Sequence, residues 1–141
     1  MDKPSKGAGV SEDPRKALGN RAERLAEEHL RAKGYEILRR NYRTNAGEVD
    51  LIAARKGVLV FVEVRSKTTP EFGSPLESLG PGKLRRIARA AKHYLAVVAS
   101  KDGAEWDARF DVVAVDFTEG EEAPKIEHLE SAFDLPAGMW Q

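Results

Sequence analysis

The chain contains no cysteine. Disulfides, thiolate nucleophiles and cysteine-ligated zinc are therefore excluded, which fits a reducing compartment. No apolar run approaches the roughly 18 residues that span a bilayer. The opening stretch, MDKPSKGAGVSEDP, lacks the apolar middle of a secretory signal. The expectation is a soluble cytoplasmic protein with no membrane partner. Internal repeats and low-complexity segments are missing too. Net charge is also absent, since 23 Lys/Arg balance 23 Asp/Glu. That zero conceals an asymmetry. Residues 1–100 carry 20 basic and 12 acidic side chains, whereas residues 101–141 carry 3 and 11. A basic surface for a polyanion beside a separate acidic edge would produce this, and so would attraction between the two parts.

What is present is 141 residues, enough for one domain with its own core. Residues 1–13 read as a disordered N-terminal tail, 14–134 as a single domain and 135–141 as a C-terminal tail. Asp13-Pro14 starts a helix, with Asp as N-cap and Pro at the first helical position. It runs to about Lys33 and stops at Gly34. Leu18, Ala22, Leu25, Ala26 and Leu30 are spaced for one buried face. Glu23 falls on the edge of that stripe, where an exposed glutamate paired with Arg15 or Arg24 is the plainer reading. Glu27 and Glu28 read as solvated neighbours.

Three strands follow, at about 35–43, 47–54 and 58–67. The central stretch, GEVDLIAARKGVLVFVEVRSK over 47–67, reads as two strands joined at Arg55-Lys56-Gly57. Strict alternation puts Glu48, Asp50 and Ile52 on one face of the first. On the second it puts Phe61, Glu63, Arg65 and Lys67 on one face and Val60, Val62 and Val64 on the other. Asp50 and Glu63 thus sit inside the most apolar run of the chain. An ionised carboxylate there costs several kcal/mol, roughly, unless it is paired or binds a cation. Residues 68–82 form a loop rich in Pro and Gly. A second helix opens at Pro81 and runs to about Ala99, burying Leu84, Ile87, Ala88, Ala91, Leu95 and Val98. Its other face is basic, with Lys83, Arg85, Arg86, Arg89 and Lys92 and no acid among residues 83–93. A strand over 106–117 and a short one over 125–129 complete the chain.

The order is helix, three strands, helix, strand, strand. A right-handed crossover can lay the fourth strand parallel to one of the meander strands, giving an α/β fold with a mixed sheet flanked by helices. Glu23, Asp50 and Glu63 can then converge at one end of the sheet. Three oxygen ligands suit Mg²⁺ or Mn²⁺ better than zinc. Such a cation polarises a phosphodiester and lowers the pKa of its bound water. Arg65 or Lys67 could stabilise the phosphate charge. Arg39, Arg40, Arg43, Lys67, Lys83, Arg85, Arg86 and Arg89 are the candidate nucleic-acid contacts.

Several segments together resemble the YraN family of small bacterial proteins. They are Gly19-Asn20-Arg21-Ala22-Glu23; Gly34-Tyr35-Glu36-Ile37-Leu38 with Asn41; Gly47-Glu48-Val49-Asp50-Leu51-Ile52; and Val60-Phe61-Val62-Glu63-Val64-Arg65. Phe72-Gly73-Ser74-Pro75, the Lys83-to-Leu95 helix and Arg109-Phe110-Asp111-Val112-Val113 extend the resemblance over about residues 15–133. It implies a restriction-endonuclease-like fold, distantly similar to archaeal Holliday-junction resolvases. It also implies that Glu23, Asp50 and Glu63 match the acidic positions of a nuclease site, with Arg65 where the wider superfamily usually has Lys. Arg stabilises charge but does not readily give up a proton. Lys67 or Lys83 could supply an ammonium instead. The expected activity is divalent-metal-dependent DNA endonuclease cleavage, with branched DNA a candidate substrate and a homodimer a candidate assembly. The alternatives are a nucleic-acid-binding module that does not cut and a protein-interaction module that docks through its acidic end.

Overall fold

The computed structural model describes residues 13–70, 75–102 and 105–134. The expected tails, Asp13 apart, and Phe72-Gly73-Ser74 lie outside the described residues. Helix α1 spans Pro14–Ala32, and strands β1, β2 and β3 span Glu36–Arg43, Glu48–Arg55 and Val58–Lys67. Helix α2 spans Pro81–Val97, β4 spans Asp107–Asp116 and β5 spans Lys125–Leu129. Short 3₁₀ turns occupy Pro75–Ser78 and Ala99–Asp102.

The Asp13 carboxylate accepts the Arg15 N–H at 2.9 Å and caps α1. At the other end Gly34 takes φ +92°. Its N–H reaches the Arg31 carbonyl while the Tyr35 N–H reaches the Leu30 carbonyl, which closes the helix in a Schellman turn. A Cβ at Gly34 would strain that left-handed conformation.

The strands form one sheet in the order β1-β2-β3-β4-β5. Every pair is antiparallel except β3 with β4, which run parallel because α2 carries the chain back over the sheet. The parallel register sets Val62 beside Asp111 and Glu63 beside Val112. The two helices cover opposite faces. Ala22, Ala26 and Leu30 of α1 pack on Leu51, Ala53, Val60, Val62, Val113 and Val115. Ile87, Ala90, Ala91 and Tyr94 of α2 pack on Val49, Ile52, Leu59, Phe61 and Phe110. β3 is thus buried on both faces, which explains its unbroken apolar run. Each such side chain contributes about 1.5–3 kcal/mol by leaving water.

Two expectations need correction. Glu27 is not solvated. It is 9 % exposed, accepts two hydrogen bonds from Arg40 at 2.5 and 2.8 Å, and also pairs with Arg31. A carboxylate this deep in α1 is tolerable because the fork of Arg40 meets both its oxygens. Arg40 is accordingly a structural partner of α1, with its side chain still 57 % exposed. Secondly, alternation fails in β1 and β2. A bulge lies between Ile37 and Arg39, and Asn41 takes φ +49°. As a result Arg40 and Asn41, though consecutive, both reach α1. In β2, Ile52 and Val49 face α2 while Leu51 and Ala53 face α1, so alternation breaks at Asp50, whose carboxylate meets the Val64 N–H.

Candidate active site

Asp50 stands where β2 parts from β3. The ladder between them ends at Leu51 beside Val62. One residue further on, the Asp50 carboxylate replaces the backbone and accepts the Val64 N–H at 2.8 Å. That bond fixes the carboxylate beside Glu63. The break in the ladder is what lets an acidic side chain enter the sheet.

Glu63 is 3 % exposed, on the strand adjoining Asp50. Its neighbours are the Lys83 ammonium at 3.3 Å and the Arg65 guanidinium at 3.4 Å, both on Oε2. Burial, together with the charge of Asp50 and a hydrogen bond between the two carboxyls, pushes the Glu63 pKa up to about 7, against an opposing pull from Lys83. Glu23 projects from α1 towards the same place. Burial and the charge of Asp50 raise its pKa, while a hydrogen bond from Asn41 and the charge of Arg43 oppose the rise. The three acids named from the sequence are therefore electrostatic neighbours, with Asp50 in the middle. A cleft of about 410 Å³ opens onto Glu23 and is lined by Asn20, Arg24, Glu27, Arg40, Asn41 and Leu51.

The position of Lys83 depends on α2. Pro81 occupies the first helical turn after Gly80. The backbone of Arg86 lies so close to Gly47 that a methyl group there would overlap the Arg86 carbonyl. Gly47 immediately precedes β2, so this contact ties the start of α2 to the strand that carries Asp50.

Among the described residues, no three Asp, Glu or His side chains stand close enough together to cage a cation by themselves. The donor chemistry nevertheless fits a hard ion. Two carboxylates share one corner of the sheet, where burial and then the charge of Asp50 push the Glu63 pKa up to about 7. Mg²⁺ and Mn²⁺ keep several waters and are commonly held by one or two protein carboxylates.

The remaining sequence candidates are scattered. Lys67 lies 3.8 Å from Asp116 and away from Glu63. Arg39 donates to the Leu38 carbonyl at 2.9 Å and sits over the Tyr94 ring. Arg43 and Arg86 flank Glu48 at 3.3 and 3.4 Å. Arg85 and Arg89 are exposed on α2. In the sequence Asn41 stands out only within the family resemblance. Its positive φ and its bond to Glu23 give it a place in the site, and the signal in the sequence is a residue type tolerant of that backbone.

The family model described as "Uncharacterised protein family UPF0102" matches residues 22–115. A UPF0102 protein of Anaeromyxobacter dehalogenans is 48 % identical over 91 % of this chain and 92 % of its own length. A UPF0102 protein of Cupriavidus taiwanensis is 44 % identical over 91 % of each chain. One of Christiangramia forsetii is 39 % identical over 82 % of this chain and 92 % of its own.

Proposed function

The chain belongs to the UPF0102 family, the YraN family its motifs resemble, and on that premise we propose that it is a divalent-metal-dependent endonuclease acting on DNA phosphodiesters. The observation that carries the reading is the pair Asp50 and Glu63, two carboxylates in contact at a break in a buried sheet, faced by Lys83 and Arg65. Structural acids in a core are paired so as to cancel their charge. These two are set against each other, an arrangement that favours a cation.

Asp50 and Glu63 would hold that cation, with Glu23 as an outer carboxylate. When bound, it supplies Lewis-acid polarisation of the phosphodiester and a water of lowered pKa. The chain's own groups do the rest. The Val64 N–H orients Asp50. Arg65 stays protonated and serves charge that develops on phosphate oxygens. Lys83 offers the ammonium that strand β3 lacks at position 65, delivered from α2. Lys67, held at Asp116, does not serve this role.

A second reading is a binding module on the same fold. Arg65 favours it, since an arginine cannot act as a base where the wider superfamily usually has lysine. Purified protein incubated with labelled linear, single-stranded, flap and four-way-junction DNA separates the two. Each reaction is run with Mg²⁺, Mn²⁺ or EDTA, beside Asp50→Asn and Glu63→Gln prepared identically. Cleavage that needs the cation and is lost in both variants supports the enzyme. Cleavage that survives in both variants overturns it. Binding without cleavage favours the module.

A further inference from the structure

Three turns along α2 from the carboxylates lies a different kind of site. A groove of about 720 Å³ runs between the β1–β2 turn and α2, lined by Arg43, Asn45, Arg89, Lys92, His93 and Val97, among others. Arg89, Lys92 and His93 are exposed. Neither Arg89 nor Lys92 makes an ion pair with a carboxylate among the described residues. Val97 is the one large apolar side chain left exposed among the described residues, at 45 %, and it stands at the groove's end.

His93 is held in a fixed orientation. The Tyr42 hydroxyl lies 2.6 Å from its Nδ1. An unprotonated Nδ1 accepts from the phenol O–H across that distance. In that tautomer Nε2 carries the ring proton and points clear of Tyr42. The groove thus joins two unpaired cations, an oriented imidazole, an amide side chain at Asn45 and an apolar end. Phosphate oxygens need the first three, and sugar or base surface suits the last.

We infer that this groove is a second nucleic-acid subsite, which grips the sugar–phosphate backbone of one strand at a distance from the carboxylate pair. Lys83 and His93 are ten residues apart on α2, about 15 Å at 1.5 Å per residue. At about 3.4 Å per nucleotide along a duplex strand, that is roughly four to five steps. The subsite rests on the nucleic-acid reading above but needs neither a cation nor cleavage.

The test is fluorescence anisotropy in EDTA, with labelled duplex DNA, single-stranded DNA and RNA of one sequence. The background is Asp50→Asn, so nothing is cut. To it are added Arg89→Ala with Lys92→Ala, and separately Lys16→Ala, an exposed cation on α1. Circular dichroism melting confirms that each folds. The double variant is expected to bind at least tenfold more weakly. Its salt slope should fall by about two, since each cation that neutralises a phosphate adds close to one. Lys16→Ala is expected to match the parent, and the three nucleic acids show which strand the groove takes. Binding and slope unchanged in the double variant overturn the subsite and leave the cleavage proposal standing. No binding to any of the three nucleic acids by the parent also overturns it. Loss of binding in the double variant upholds the subsite, and the cleavage assay on the unmutated protein decides the enzyme reading separately.

Discussion

Two buried carboxylates lie on neighbouring strands of one sheet, and their surroundings are opposite. Asp111 on β4 is fully buried and fully partnered. It accepts from Arg109 at 2.9 and 2.8 Å, from His128 at 2.7 Å and from the Ser131 N–H at 3.0 Å. Burial alone would raise its pKa, but the bonds from His128, Arg109 and Ser131 outweigh it and hold it below the ordinary value. Glu63 on β3 is nearly as buried, yet its closest cations stand at 3.3 and 3.4 Å and its other neighbour is a second acid. Asp111 shows what this fold does with a carboxylate that serves structure. Glu63 is not treated that way, and that difference is what the proposed cation site rests on.

The contrast can be broken most severely at Asp111. Asp111→Ala leaves Arg109 and His128 without their buried acceptor and is expected to cost about 3–5 kcal/mol, read by urea denaturation. The next effect is of opposite sign. Glu63 keeps a proton in the fold up to about pH 7, but in the unfolded chain only to about 4.5. Between those values the folded state holds the extra proton, so stability falls as pH rises. Glu63→Gln should remove that slope and gain stability at pH 8, on the order of 3 kcal/mol at most. Asp111 titrates the other way, since its contribution is full above 3.8 and is lost as pH falls through its lowered value. Denaturation curves at several pH values separate the two. A Glu63→Gln protein with an unchanged slope between pH 4.5 and 7 would sink the contrast.

Gly47→Ala comes next. Overlap with the Arg86 carbonyl should cost roughly 1–3 kcal/mol as α2 shifts. Crystallography of the variant should show Lys83 moved from Glu63 while the Asp111 cluster is unchanged. The smallest effect is expected for Asn41→Gly. Relief of the left-handed backbone offsets loss of the Glu23 hydrogen bond, so stability changes by less than about 1 kcal/mol, while any metal-dependent cleavage falls. Thermal melting and the cleavage assay read the two separately.

Much of this is legible in the sequence. Alternation over 58–67 separates Phe61 and Glu63 from Val60, Val62 and Val64, and the structure divides the apolar ones between the two helices in that way. Pro14, Gly34 and Pro81 mark helix ends, because their backbone restrictions act locally. The failures are tertiary. Glu27 looks solvated in the sequence because its partner Arg40 comes from another element, turned inward by the left-handed residue that follows it. Asp111 looks like an ordinary strand residue because its partner His128 lies on β5. Lys83 is one of several candidate ammoniums, and only the approach of α2 to Gly47 sets it 3.3 Å from Glu63 while Lys67 lies against Asp116.

The parallel pairing of β3 with β4 has a kinetic consequence. β2 and β3 are joined by Lys56-Gly57, whereas β3 and β4 are separated by residues 68–106. Short loops close early, and long crossovers close late. The hairpin that brings Asp50 beside Glu63 can therefore assemble before α2 delivers Lys83. Removing the lysine should leave the refolding rate of the chain nearly unchanged and speed its unfolding, a pattern that stopped-flow measurements on Lys83→Met would show. The acids of this site meet first, and their counter-ion arrives with the last part of the chain to dock.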